Sequence, residues 1–217
     1  MIFGKKAWDN ANLSPEDIRI ILNEDVWREN DVEEFINFWA NVLSLTYQGM
    51  EKRIDTIYRI LNENINPTLQ QINTVLKKKQ SRWKSIEINR ICPIILRYIQ
   101  NIDEQGIDLL HSNFQYELGD IGPVYTVWCH YLLSPTKYPP IDRLNYTAYK
   151  FITAGSYFYK VVPAEFVNPF PNQGYNTFKD WFIDLVSIYR GVNYTWHHMK
   201  DLDKALISFG SFIRKVQ

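Results

Sequence analysis

Residues 117–133 read Glu117-Leu118-Gly119-Asp120-Ile121-Gly122-Pro123-Val124-Tyr125-Thr126-Val127-Trp128-Cys129-His130-Tyr131-Leu132-Leu133. Two glycines stand shortly before Pro123, and proline is favoured in a first helical turn because the N–H it lacks is one that a helix start leaves unpaired anyway. The stretch predicts a tight hairpin feeding an aromatic-rich helix from Pro123 to Leu133. Such a junction directs unpaired backbone N–H groups and the positive end of a helix dipole toward one point, which suits a phosphate oxygen. Ile121 would anchor the hairpin, Gly122 would let the backbone approach a ligand, and Pro123 and Val124 would open the helix. The same residues also suit an ordinary helix–helix turn, and taken alone they leave both readings open.

Outward from this stretch the chain keeps a helical period. Ser14-Pro15-Glu16-Asp17 is a helix start, with Ile18, Ile21 and Leu22 behind it. Asp31 to Glu34 repeats that capping pattern, and Val32, Phe35, Ile36, Trp39, Val42 and Leu43 form a broad apolar stripe. Further helices are expected over 48–61, from Asn66-Pro67 to the Lys77-Lys78-Lys79 run, and over 86–102, where Pro93 lies near the start or makes a kink. The apolar density of 86–102 suggests that it forms the heart of the core. A short helix is expected near 107–114, which sets the hairpin unit at about 105–133. Beyond it, Asp142 can cap a helix from Arg143 to Thr153, and residues 163–175, with three prolines, form a loop. Helices over 177–190 and 201–214, with apolar faces Trp181, Leu185, Ile188 and Leu202, Leu206, Phe209, Ile213, close the chain. The expected fold is all-α: one helical domain over residues 1–217, of about nine to ten helices.

The totals restrict the function. A chain of 217 residues with 46% apolar side chains can bury a core without disulfides or metals. Lys plus Arg equals Asp plus Glu at 24 each, so any polyanion site must come from local segregation of charge. Segregation is visible: eight acids lie between Glu16 and Glu34, and seven bases between Lys77 and Arg97. Lys77, Lys78 and Lys79 can contact phosphates or sit as a solvated helix end. Cys92 and Cys129 lie in apolar stretches, not in a CxxC or CxxH spacing, which points to a reducing compartment with neither metal nor disulfide framework. The N-terminal MIFGKKAWDN has no apolar leader, and no segment approaches the eighteen or so apolar residues of a membrane span. The expected location is the cytoplasm, with no membrane partner. His197-His198 are adjacent, so on a helix they point apart and make a poor metal pair; they read as surface or partly packed.

Twenty residues after Gly122 stands Asp142, behind Tyr138-Pro139-Pro140-Ile141, a stiff extended connector. A carboxylate held this way serves a helix as its N-cap, or serves a reaction that develops positive charge on a sugar, by stabilising that charge and steering water onto it. The segment by itself admits both uses.

Leu118 to Thr126, Tyr138 to Arg143 and Val42-Leu43-Ser44-Leu45-Thr46-Tyr47-Gln48 together resemble the helix-hairpin-helix DNA glycosylase superfamily. There the hallmarks are an LPGVG-like hairpin, an aspartate after a VPVD-type segment, and an LSQQT helix junction. Order and spacing agree from Trp39 to Phe151, about half the chain. The resemblance implies two closely packed helical lobes with a cleft, and a monomer bound to double-stranded DNA. It implies phosphate contacts at Ile121, Gly122, Pro123 and Val124, with Gln48 near the extruded base and Asp142 as the catalytic aspartate. Trp39, Tyr47, Trp128 and Tyr146, near the matched motifs, are candidates to line the pocket of a flipped base, although each taken singly is the kind of residue that more often packs a core. Val124 falls where bifunctional members carry a lysine nucleophile, so cleavage would be monofunctional, and there is no four-cysteine cluster for iron and sulfur, so no cofactor is expected. Asp120 stands where the family has its first hairpin glycine, which also suits a DNA-binding relative without catalysis. A helical protein-interaction domain, in which the matched residues serve only as turn and cap, is the third reading.

Overall fold

Leu202, Leu206, Phe209 and Ile213 recur at helical spacing, and in the structure, a computed structural model, the helix carrying them is buried without a break from Leu202 to Gly210. The structure describes residues 29–46, 59, 68, 70–74, 85–100, 116–117, 123–133, 136–155, 161–167 and 171–214. Among them all regular structure is α-helical: α1 (Glu29–Thr46), α2 (Ser85–Gln100), α3 (Pro123–Leu133), α4 (Arg143–Ala154), α5 (Ala164–Val167), α6 (Gln173–Arg190) and α7 (Trp196–Ile213). The expected helices near 14–23, 48–61 and 107–114 and the hairpin turn at 118–122 lie outside the described residues, apart from Arg59 in a helical conformation. Among the described residues no helix is long and apolar enough to cross a membrane.

Helix α7 is the hub because one helix face cannot satisfy two neighbours, and α7 is apolar or small on both faces that meet them. Phe209 shows this directly. Its ring meets Phe35 and Trp39 of α1 at centroid separations of 5.5 and 5.1 Å, and Phe151 of α4 at 5.8 Å. One residue later, Gly210 lets the backbones of α7 and α4 approach so closely that a Cβ there would lie 2.0 Å from the Leu144 carbonyl oxygen. Helix α6 packs on α1 and α7, and its Phe178, Phe182, Leu185 and Val186 are all buried, with Phe178 meeting Tyr149 of α4 at 5.3 Å. Helix α5 sits between α6 and α3, within the segment that the prolines had marked as loop.

The run 86–102, expected at the heart of the core, instead packs on α3 along one side. Ile91, Cys92, Ile95 and Tyr98 are buried, whereas Pro93 and Arg97 are exposed. Pro93 lies inside α2, not near its start. Tyr98 donates from its hydroxyl to Glu117 Oε1 at 2.9 Å, and Arg97 pairs with Glu117 Oε2, so Glu117 is tied to α2. Burial first, then the hydrogen bond to Glu117, pushes the Tyr98 phenol up to about 12 and keeps it a donor.

Helix starts explain most boundary differences. Helix α1 begins at Glu29, ahead of the Asp31 start that the capping pattern suggested. Helix α6 begins at Gln173, not Thr177, because Asn172 Oδ1 accepts from the Tyr175 amide at 3.0 Å. Helix α7 begins at Trp196, not Asp201, and there the Thr195 amide donates to His198 Nδ1 at 3.0 Å. His198 thus does the work usually done by Glu or Gln three residues after the cap.

That bond makes the α7 start sensitive to pH. An imidazole protonated at both nitrogens has no acceptor left for the Thr195 amide. Burial, then the positive charge of Arg190, holds His198 below its ordinary value of 6.5. Since the folded-state value is the lower one, the stability contributed by neutral His198 is present above pH 6.5 and is lost as pH falls through the folded-state value. Thermal midpoints recorded between pH 7 and pH 5 should fall more in the wild type than in His198→Gln, whose side chain keeps an acceptor and does not titrate. Parallel curves for the two proteins would remove His198 from this role.

Candidate functional site

The connector from Tyr138 to Asp142 is buried at Tyr138, Pro139, Pro140 and Ile141, yet two consecutive prolines bring carbonyls that must be satisfied without offering any N–H. Side chains from two distant elements complete the arrangement. The hydroxyl of Tyr175 on α6, fully buried, donates to the Pro139 carbonyl at 2.9 Å. Burial drives its phenol well above the ordinary value of 10, so it remains protonated and serves as a donor. The Asn145 Nδ2 group donates to the Pro140 carbonyl at 2.9 Å and to Asp203 Oδ1 of α7 at 3.1 Å.

Asp142 follows as the N-cap of α4, in extended backbone with φ −137° and ψ −178°. Its Oδ1 accepts from the Leu144 amide at 2.8 Å and the Asn145 amide at 3.2 Å. In return, Asn145 Oδ1 accepts from the Asp142 amide at 2.5 Å, closing a reciprocal capping box. Both capping bonds fall on Oδ1; Oδ2 has no part in them. At its far end α4 stops at Gly155, whose φ of 63° is the left-handed conformation that glycine adopts without a Cβ clash. The acid is thus partly buried and directed at a helix N-terminus, and its connector and capping partner are bonded in turn from α6 and α7.

Basic groups flank this start. Arg143 is exposed directly after Asp142, and Arg214 follows the end of α7, near enough that Arg143, after the larger effect of burial, lowers its pKa. The sequence signal for Arg214 was absent, because two residues 71 positions apart meet only through the α4–α7 crossing.

The other predicted site residues lie on α1, α3 and α4 or outside the described residues. Tyr146 lies one turn beyond Asp142, and its amide donates to the Asp142 carbonyl at 2.9 Å. Its ring is 3% exposed and meets Phe166 edge-on at 4.8 Å. Trp39 is equally enclosed, among Phe38, Phe209 and Phe212, with centroids 5.0 to 5.3 Å away. Trp128 is buried on α3, edge-on to Tyr131 at 5.1 Å. Pro123 and Val124 open α3, at the helix start that the sequence predicted. Tyr47, Gln48, Lys77, Lys78, Lys79, Ile121 and Gly122 lie outside the described residues.

Thiol chemistry has little to work with among the described residues. Cys92 and Cys129 are buried, and burial, reinforced by the proximity of Cys92, pushes the Cys129 thiol far up and keeps it protonated. Among the described residues no three His, Cys, Asp or Glu side chains converge as metal ligands. Sequence reasoning missed Asn145, Tyr175 and Asp203. The only local sign was the Asp-x-x-Asn spacing of 142–145, which resembles a capping box, whereas the partners on α6 and α7 leave no mark in the sequence near Asp142.

No family model, curated protein or solved structure matches this chain.

Proposed function

We propose that the protein is a monofunctional DNA glycosylase-like enzyme that grips duplex DNA through a helix-hairpin-helix and removes a damaged or modified base, with Asp142 as the acid that acts on the sugar. The observation that carries this reading is the investment in Asp142: a carboxylate at the start of α4, behind a buried diproline connector whose carbonyls are each held by a side chain from elsewhere in the fold. A cap alone needs Asp142 and Asn145. Tyr175 and Asp203 add a fixed orientation, and reactions through a charged intermediate reward fixed orientation.

In this mechanism the bond between the sugar C1′ and the base nitrogen breaks, and the base leaves with the electron pair. The Asp142 carboxylate stabilises the positive charge that develops on the sugar. Water then bonds to C1′ and gives a proton to Asp142, which passes it to solvent or to the departing base. Arg143, exposed directly after the acid, and Arg214, close enough to Arg143 to feel its charge, supply positive charge for the phosphates of an everted nucleotide.

The test is base release from duplex oligonucleotides carrying a panel of lesions and modified bases, wild type against Asp142→Asn. Asparagine caps a helix about as well as aspartate, so the variant keeps the fold and removes the charge. Release should fall about 10²-fold or more, with DNA affinity nearly unchanged. Equal release by the two proteins on a substrate that the wild type cuts would exclude the mechanism. Engagement of Oδ1 in the cap favours one further reading, a DNA-binding relative without catalysis. Binding that weakens steeply with salt, without release of any base, would support it.

A further inference from the structure

Asn145 is 1% exposed, and its amide is used on both sides: Oδ1 faces the Asp142 amide at 2.5 Å, while Nδ2 donates to Pro140 and to Asp203. A capping box requires only the first of these bonds. The other two decide which way the amide faces, because an asparagine turned over would set N–H against the N–H of Asp142 and oxygen against the Pro140 and Asp203 oxygens. Of the two acceptors Asp203 is the one supplied by a side chain of another helix, so it ties the amide to α7. It is also the costly one. Asp203 is 2% exposed on α7, and the adjacent Lys204 is 6% exposed, so the pair places ionisable groups in a region that apolar side chains would fill at lower cost.

We propose that Asp203 is a positioning residue for Asp142: through Asn145 it holds the main chain of Asp142, and with it the carboxylate, in reacting geometry. The proposal rests on the glycosylase reading above. Asp203 touches no substrate. It fixes the face of Asn145, Asn145 fixes the Asp142 amide and the Pro140 carbonyl, and the carboxylate keeps one orientation relative to the sugar. A shift of about 1 Å in a reacting group costs about a hundredfold in rate, so a residue two bonds removed has a large effect on turnover with a small one on binding.

The experiment compares wild type, Asp203→Asn and Asp203→Leu in single-turnover base release and in DNA affinity, on a substrate that the wild type cuts. Leucine keeps the volume and removes the acceptor; asparagine keeps an acceptor oxygen and removes the ionisable carboxyl. Release by Asp203→Leu should be about a hundredfold slower, with DNA affinity within about twofold of wild type, and Asp203→Asn should recover about tenfold of that loss. Should Asp203→Leu not fold, Asp203→Asn carries the test, with release about tenfold slower at unchanged affinity. Wild-type rates in the folded variants overturn the positioning role and leave the glycosylase reading standing. A rate loss matched by an equal loss of DNA affinity also overturns it, since that is the mark of general structural damage. If the wild type itself releases no base across the lesion panel, the glycosylase reading fails and this inference falls with it.

Discussion

Replacing Gly210 with alanine should destabilise the protein by about 3 kcal/mol, at the upper end of what overpacking by a single methyl costs. Helix propensity alone argues for the opposite sign, because glycine inside a helix costs about 0.5–1 kcal/mol relative to alanine. Contact decides. The added Cβ would fall 2.0 Å from the Leu144 carbonyl oxygen and 2.8 Å from its carbonyl carbon, and these are backbone atoms in the first turn of α4, with no rotamer through which to move aside. Either α4 and α7 separate, at the expense of the Phe209–Phe151 contact, or α4 shifts along its axis. For a chain of this size the loss corresponds to a fall of about 10 °C in thermal midpoint. Because Leu144 donates its amide to Asp142, the same shift should disturb the cap, and under the proposed function base release would fall along with stability. A midpoint at or above that of the wild type would show that the two helices do not cross so closely.

Phe209→Ala should cost about 3–5 kcal/mol, the range for emptying a fully buried aromatic position. The ring is 0% exposed and is shared by three partners on two helices, Phe35, Trp39 and Phe151, none of which can fill the space without leaving another contact. Leucine should recover more than half of the loss, since it restores most of the volume though not the edge-to-face contacts. Urea unfolding of the two variants measures this. A loss below about 1 kcal/mol for alanine would mean that α7 is not the hub of the core.

Among the described residues the helical class was legible, because it rests on information contained within single turns. Pro123 at a helix start, Asp142 ahead of Arg143 and the stripe Val32, Phe35, Ile36 and Trp39 each act over three or four residues, and the structure has helices at all three places. Helix starts were less legible where the cap was of an uncommon kind. His198 bonding to the Thr195 amide has no place among the usual capping residues, so the pattern placed the start of α7 five residues too late. The proline-rich stretch after Pro163 concealed α5 and the Asn172 cap, since proline density reads as loop even where one short turn of helix fits.

The importance of the run 86–102 was overestimated for a similar reason. Its apolar content is high, but apolar content measures how much surface needs covering and not which helix lies between the others. Helix α7 takes the central place because it packs against both α1 and α4, and at Gly210 the backbone of α4 comes too close for any side chain. The site divides along the same line. Asp142 and its Asn145 partner were within reach of local reasoning, being three residues apart; Tyr175, Asp203 and Arg214 were not.

Local chemistry along the chain therefore determined that this protein is built of helices, where several of them begin and end, and that a single acid stands at the start of one behind two prolines. Capping bonds and apolar stripes operate within a turn or two, and their signatures are written in adjacent residues. Only the tertiary structure decided that α7 lies between α1 and α4 and that Asn145 reaches Asp203. Those outcomes depend on the close approach of backbones far apart in sequence, which a glycine permits but does not announce.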